Sequence, residues 1–172
     1  RGLTYELIER CKKAKFTSLC LTIDTIVAGN RERDLRTGMT MPPKFTASSL
    51  LSFAMRPRWV YNYFTHESFK LANLEGKTEK GSKESVSVID YLNSQFDTNL
   101  CWDDAQKAVE AWGGPFAIKG VMSVEDAKRA VSIGASAIMI SNHGGRQLDT
   151  SPAPFDLISD IVNAVGGKIE II

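Results

Sequence analysis

Leu3, Leu7, Ile8 and Cys11 recur with the three- and four-residue spacing of one helix face, which predicts a helix over Thr4–Ala14 with Thr4 as its N-cap. Ser18–Asp24 (SLCLTID) then becomes a short apolar run, the pattern of a strand buried on both faces. From Asn99 onward the rhythm is regular. A helix at Asp103–Trp112 precedes a strand at Pro115–Gly120 (PFAIKG) and a helix at Ser123–Ile133. A strand at Ser136–Asn142 (SAIMISN), a helix at Pro154–Val165 and a strand at Lys168–Ile172 follow. Ser123 and Asp126 have the spacing of a capping box.

Residues 25–98 interrupt this alternation and read as a long loop or insertion after the first strand. Within them, residues 25–47 are polar and punctuated by Gly and Pro, the composition of a loop. Residues 48–72 are rich in aromatics and predict short helices around Pro57. Lys77–Glu84 (KTEKGSKE) reads as a mobile, charged surface segment.

Short apolar strands alternating with amphipathic helices predict βαβ units and a parallel sheet, in either a doubly wound fold or a (β/α)8 barrel. Asp24, Lys119, Ser141, Asn142 and His143 all sit at or just beyond the C-terminal ends of strands. A barrel gathers such positions at one mouth, whereas an open sheet spreads them along a crevice. No G-x-G-x-x-G or G-x-x-x-x-G-K turn follows a strand. A full barrel takes about 250 residues. The expected fold is therefore α/β, the central portion of a TIM barrel, about strands four to seven.

Composition narrows the classes. The 172 residues carry 21 basic and 20 acidic side chains, so no excess charge favours nucleic acid or an anionic membrane as main partner. No apolar run approaches the roughly 20 residues of a membrane helix, and residues 1–17 are too polar for a signal peptide. Cys11, Cys20 and Cys101 are an odd number without CxxC spacing, which suits inert apolar fillers in a reducing, cytoplasmic setting. Arg1 in place of Met, and the apolar close KIEII, suggest an internal piece of a longer protein.

The densest chemistry lies in Ser141–Asp149 (SNHGGRQLD). A histidine leaving a strand, followed by two glycines and an arginine, puts a proton acceptor and a guanidinium fork on one tight turn. A carboxylate-bearing substrate with an abstractable proton suits that pair. His66, among aromatics without metal-ligand spacing, reads as surface or packing, and Trp59, Tyr61, Tyr63 and Phe64 read as packing rather than a stacking platform.

This segment resembles the signature of the FMN-dependent α-hydroxy acid dehydrogenases and oxidases, the L-lactate dehydrogenase and glycolate oxidase type. LCLTIDTIVAGNRERDLRTGMTMPP is similar to that family's fourth strand and following loop, AIKGV to its fifth strand, and SAIMISNHGGRQLD to its sixth. The resemblance implies FMN as cofactor and His143 as the base that takes a proton from the hydroxy acid. It implies Asp24 as the carboxylate paired with that imidazole, Arg146 as the ligand of the substrate carboxylate, and Arg31 as a second, substrate-binding arginine nearby. Lys119, Thr22 and Ser141 would contact the flavin. MPPKF and MRPRWVYNYF look more like lactate dehydrogenases, so (S)-2-hydroxy acid oxidation with L-lactate as substrate is the expected function.

The electron acceptor would be oxygen, a quinone or a cytochrome. The longer protein would be a homo-oligomer, cytoplasmic or peripheral at the inner face of the membrane. The family's flavin-phosphate turns follow its seventh strand, so this chain alone is expected to be inactive. The alternatives are a non-catalytic barrel fragment or pseudoenzyme, and another FMN barrel such as a type 2 isopentenyl diphosphate isomerase.

Overall fold

The computed structural model describes residues 2–26, 29–39, 44–67, 73 and 98–172. The chain divides into two compact units, Arg1–Asn30 with Phe96–Ile172, and Arg31–Gln95.

The first unit holds a four-stranded parallel sheet in chain order: β1 (Leu19–Thr22), β2 (Phe116–Val121), β3 (Ala137–Ile140) and β4 (Glu170–Ile171). β2 keeps the length of its apolar run, moved on by one residue, whereas β1, β3 and β4 are shorter than theirs. Lys168 N–H donates to the Val165 carbonyl and closes a turn before β4. In register, Leu19 aligns with Phe116, Ala117 with Ala137 and Ala137 with Glu170, and alternate side chains along each strand share a face. One face carries Phe116, Ile118 and Ile138, all buried beneath helices α1 (Gly2–Lys13), α5 (Trp102–Trp112), α6 (Val124–Ser132) and α7 (Pro154–Val165). Ile8, Trp112, Ala127, Ala130, Ile161 and Val165 complete that core. The Trp112 indole N–H is satisfied by the Pro115 carbonyl at 2.9 Å. The opposite face presents Cys20, Thr22, Ala117, Lys119 and Met139, none of them buried.

Local chemistry sets the helix ends. The Ser123 hydroxyl accepts from Asp126 N–H at 3.1 Å and donates to the Asp126 carboxylate at 2.9 Å. Pro154 opens α7 as its sequence predicts. Thr4 is not a cap, because α1 already runs from Gly2 and Thr4 lies within it. The helix expected from Asp103 begins at Trp102, with Asp104 reaching back to Cys101.

The second unit contains α2 (Glu32–Thr37), α3 (Ala47–Ala54) and α4 (Pro57–Thr65). The two short helices expected around Pro57 are α3 and α4, and Thr46 caps the former through a reciprocal pair with Ser49. Residues 25–47 are not loop throughout, since α2 forms there with Arg36 paired to Glu32 at 3.5 Å. Gly38, at φ +76°, ends it. Phe45, Phe53, Trp59, Tyr63 and Phe64 make a chain of ring contacts with centroids 5.1–5.6 Å apart. These rings pack on one another, yet no residue of the three helices is buried. Two cysteines also depart from expectation: Cys20 and Cys101 are exposed, and only Cys11 packs against the core. Lys77–Glu84 lies outside the described residues.

Candidate active site

The chain leaves β1 at Thr22, and Ile23 N–H still donates to the Lys119 carbonyl, so Asp24 emerges beside the end of β2. There β2 bulges. Lys119 aligns with Met139, but the next aligned pair is Val121 with Ile140, leaving Gly120 unpaired. Gly120 takes φ +103°, and a Cβ at this position would lie 2.8 Å from Asp24 Cβ and Cγ. Only glycine satisfies both demands.

Beyond β3, His143, Gly144 and Gly145 all take positive φ, at +59°, +67° and +67°. Glycine accepts that freely, whereas His143 holds a conformation unusual for a side-chain-bearing residue. Three bonds pin the turn. The Ser141 hydroxyl accepts from His143 N–H at 3.1 Å, the Asn142 side-chain carbonyl accepts from Gly145 N–H at 3.1 Å, and the Asn142 amide donates to the Pro152 carbonyl at 3.2 Å.

The two loops meet at three polar groups. His143 Nδ1 lies 3.0 Å from Asp24 Oδ1, and Lys119 Nζ lies 3.7 Å from Asp24 Oδ2 and 3.3 Å from His143 Nδ1. Asp24 is the most enclosed, its side chain 12% exposed against 25% for Lys119 and 32% for His143. A carboxylate there accepts Nδ1–H, which leaves the Nε2 lone pair available as a base. The ammonium beside the ring N–H is held by the same carboxylate. Asp24 Oδ2 is buried without a hydrogen bond, since 3.7 Å is an ion pair only. Gln147 Nε2 donates to the Asp24 main-chain carbonyl at 3.1 Å, and Gly29 lies so close to the Arg146 carbonyl that no Cβ fits between them. Although Cys20 is exposed as a residue, partial desolvation of its thiol raises the pKa, with the Lys119 charge pulling it the other way.

Asp24, Lys119 and His143 are thus brought into one cluster. Thr22 pairs in register with Lys119, and Ser141 supports the histidine turn. Arg146 follows that turn, exposed and with no carboxylate partner among the described residues. Arg31 belongs to the second unit, where it immediately precedes α2. Gly29, Gly120 and Gln147 are the site residues that sequence reasoning missed. A lone glycine in an apolar strand is the bulge signal that marks Gly120, whereas nothing in the sequence separates Gln147 from any surface glutamine.

The sequence profile of the family described as FMN-dependent dehydrogenase matches residues 1–172. An L-lactate oxidase of Nostoc sp. is 35% identical over 172 residues, covering 100% of this chain and 41% of that protein. An L-lactate dehydrogenase of Acinetobacter baylyi is 36% identical over 176 residues, covering 100% of this chain and 44% of that protein. The crystal structure of a monotopic membrane protein, (S)-mandelate dehydrogenase, superposes with a TM-score of 0.90 at 29% identity, over 99% of this chain and 45% of that one. The chain therefore spans less than half the length of these relatives. The parallel α/β architecture is that of a barrel portion.

Proposed function

The chain belongs to the FMN-dependent dehydrogenase family, and on that premise we propose that the protein containing it oxidises an (S)-2-hydroxy acid, L-lactate first, to the 2-oxo acid. The observation that carries this reading is the 3.0 Å pairing of His143 Nδ1 with Asp24 Oδ1. With Nδ1–H committed to the carboxylate, His143 Nε2 takes the substrate hydroxyl proton, and Asp24 steadies the imidazolium that results. Arg146 offers a guanidinium fork to the substrate carboxylate. Arg31 would add a second cation there, an assignment that rests on its place in GNRERD.

The donors on the open face of the sheet fit a flavin ring. Lys119 Nζ lies 3.7 Å from Asp24 Oδ2 and 3.3 Å from His143 Nδ1, and an ammonium with three N–H donors keeps one for an electron-rich ring edge. Ser141 accepts from His143 N–H, and its own hydroxyl hydrogen is not used in that bond. Thr22 stands beside Lys119 on the same face. When bound, FMN supplies the acceptor for the α-hydrogen and its electron pair.

L-Lactate is favoured by the two relatives named for it, and mandelate is the competitor named by the structural neighbour. We place the longer protein as a homo-oligomer that passes electrons to oxygen, a quinone or a cytochrome. It sits in the cytoplasm or at the inner face of a membrane, as the monotopic neighbour suggests. Among the described residues no helix is long and apolar enough to cross one. The test is turnover of lactate, glycolate and mandelate by the intact protein and by His143→Gln. The variant should retain flavin absorbance and lose about 10²–10⁴-fold in rate. Wild-type rates would remove His143 from the reaction, and an intact protein without flavin or turnover would leave the non-catalytic reading.

A further inference from the structure

The loop that follows β3 grips Asp24 at two points. His143 Nδ1 meets the carboxylate at 3.0 Å, and four residues later Gln147 Nε2 donates to the main-chain carbonyl at 3.1 Å. Arg146 sits between these anchors, next to the second. The placement of Gln147 inverts the usual order of burial. It is half-buried, whereas Gly144–Arg146 and Leu148–Thr150 on either side are exposed, Leu148 by 73%. Apolar burial would turn the leucine inward and leave the amide in water. Here the amide is inside, so a hydrogen bond and not the hydrophobic effect orients this stretch.

Packing contributes little to holding the turn. A Cβ on Gly144 or Gly145 would meet nothing within 4 Å among the described residues. Asn142 secures the start of the turn through Gly145 N–H, and Gln147 secures its end. The facing chain makes room for this: a Cβ on Gly29 would overlap the Arg146 carbonyl and lie 2.5 Å from Gln147 Oε1. Asp24 and Gly29 thus both lie against Arg146–Gln147.

A 2-hydroxy acid carries its hydroxyl and its carboxylate on adjoining carbons, so a base and a guanidinium that serve both must stand at one fixed separation. Misplacing a reacting group by about 1 Å can cost about 10²-fold in rate. A neutral amide suits the task beside Asp24 and Lys119. It donates to a carbonyl without competing for the carboxylate as a cation would, and without repelling it as a glutamate would.

We infer that Gln147 is a positioning residue: its bond to the Asp24 carbonyl sets the distance between the Asp24–His143 pair and the Arg146 guanidinium. A hydroxy acid's hydroxyl and carboxylate are thereby registered against base and fork together. Gln147 touches neither reacting group and acts through the Asp24 main chain. The inference rests on the hydroxy acid reading proposed above.

Steady-state kinetics of the intact protein with L-lactate, and inhibition by propionate, separate this role from a structural one. Propionate has the carboxylate without the hydroxyl and can follow the fork wherever it stands, whereas lactate must reach the base as well. Gln147→Met keeps the length of the side chain and loses its donor. Gln147→Glu keeps the shape and, at neutral pH, replaces the donor with an acceptor. Both should lower kcat for lactate by about 10–100-fold, with KM and the propionate inhibition constant within about twofold of wild type. Flavin content and melting temperature should be native. Native kcat in both variants would show that the bond sets nothing, and the inference falls alone. If KM and the propionate constant rise together with the loss of kcat, or the melting temperature drops, Gln147 is a structural prop of the loop and the inference is overturned. An intact wild-type protein that oxidises no hydroxy acid would remove the reading on which the inference rests, and the inference with it.

Discussion

Gly120 leaves the space that Asp24 occupies: a Cβ on residue 120 would lie 2.8 Å from both Cβ and Cγ of the aspartate. Because Gly120 is also the unpaired residue of the β2 bulge at φ +103°, replacing it meets strain and a clash together. Gly120→Ala should lower stability by about 1–3 kcal/mol from the backbone alone, measured by denaturant unfolding. It should also cut kcat by pushing the carboxylate off His143. An alanine variant with native stability and rate would show that the bulge does not set the position of Asp24.

Asp24→Asn separates charge from shape. The amide fills the same space and can still present an oxygen to His143 Nδ1, but the negative charge that steadies the imidazolium is gone. Turnover should fall by about 10²–10⁴-fold, with the loss in kcat and flavin content unchanged. Since Asp24 Oδ2 is buried with only the Lys119 ion pair, the variant also leaves that ammonium without its carboxylate. A rate near wild type would reduce Asp24 to a structural partner.

How much of this was legible in the sequence depends on the range of the interaction. The helix at Pro154–Val165 is read directly, because a proline at its first position and an apolar stripe are local signals. α2 was missed because its six residues, Glu32–Thr37, are polar nearly all round and leave no periodicity to detect. The site divides the same way. The positive-φ turn at His143–Gly145 is announced by its two glycines. The Asp24–His143 contact joins residues 119 apart, a pairing that no spacing encodes and that only the family resemblance supplied. The hydrogen bond from Gln147 to the Asp24 carbonyl was invisible for that reason. Trp59, Tyr63 and Phe64 of α4 do pack ring on ring, but their exposure was not legible, because sequence cannot tell packing in a core from packing at a surface.

Arg146→Lys tests the carboxylate fork. Arg146 follows the pinned turn and is exposed without a carboxylate partner among the described residues, so the site asks little of it structurally. Lysine keeps the charge and loses bidentate geometry. The expected outcome is a raised KM together with a lowered kcat, because the fork both binds and aligns the substrate. Stability should be unchanged. Kinetic constants equal to wild type would make Arg146 an ordinary surface cation.

Lys119→Met removes the charge that links three groups: Asp24 at 3.7 Å, His143 at 3.3 Å and, on the same face, Cys20. Two independent readouts follow. If the ammonium lies against the bound flavin, its loss should lower the flavin reduction potential, seen in a spectroelectrochemical titration, because a cation no longer offsets the negative charge that reduction adds. The second readout needs no cofactor. Partial desolvation raises the Cys20 pKa and the Lys119 charge lowers it, so deleting the charge leaves the raising cause unopposed. The thiolate is the reactive form, and the pH–rate profile for alkylation of Cys20 should shift to higher pH in the methionine variant, with slower alkylation at any given neutral pH. Cys101, on a different element, should react as before and serves as the internal reference. An unchanged Cys20 profile would mean that the Lys119 ammonium does not reach across the face of the sheet; an unchanged potential with a shifted profile would place it on that face but away from the flavin.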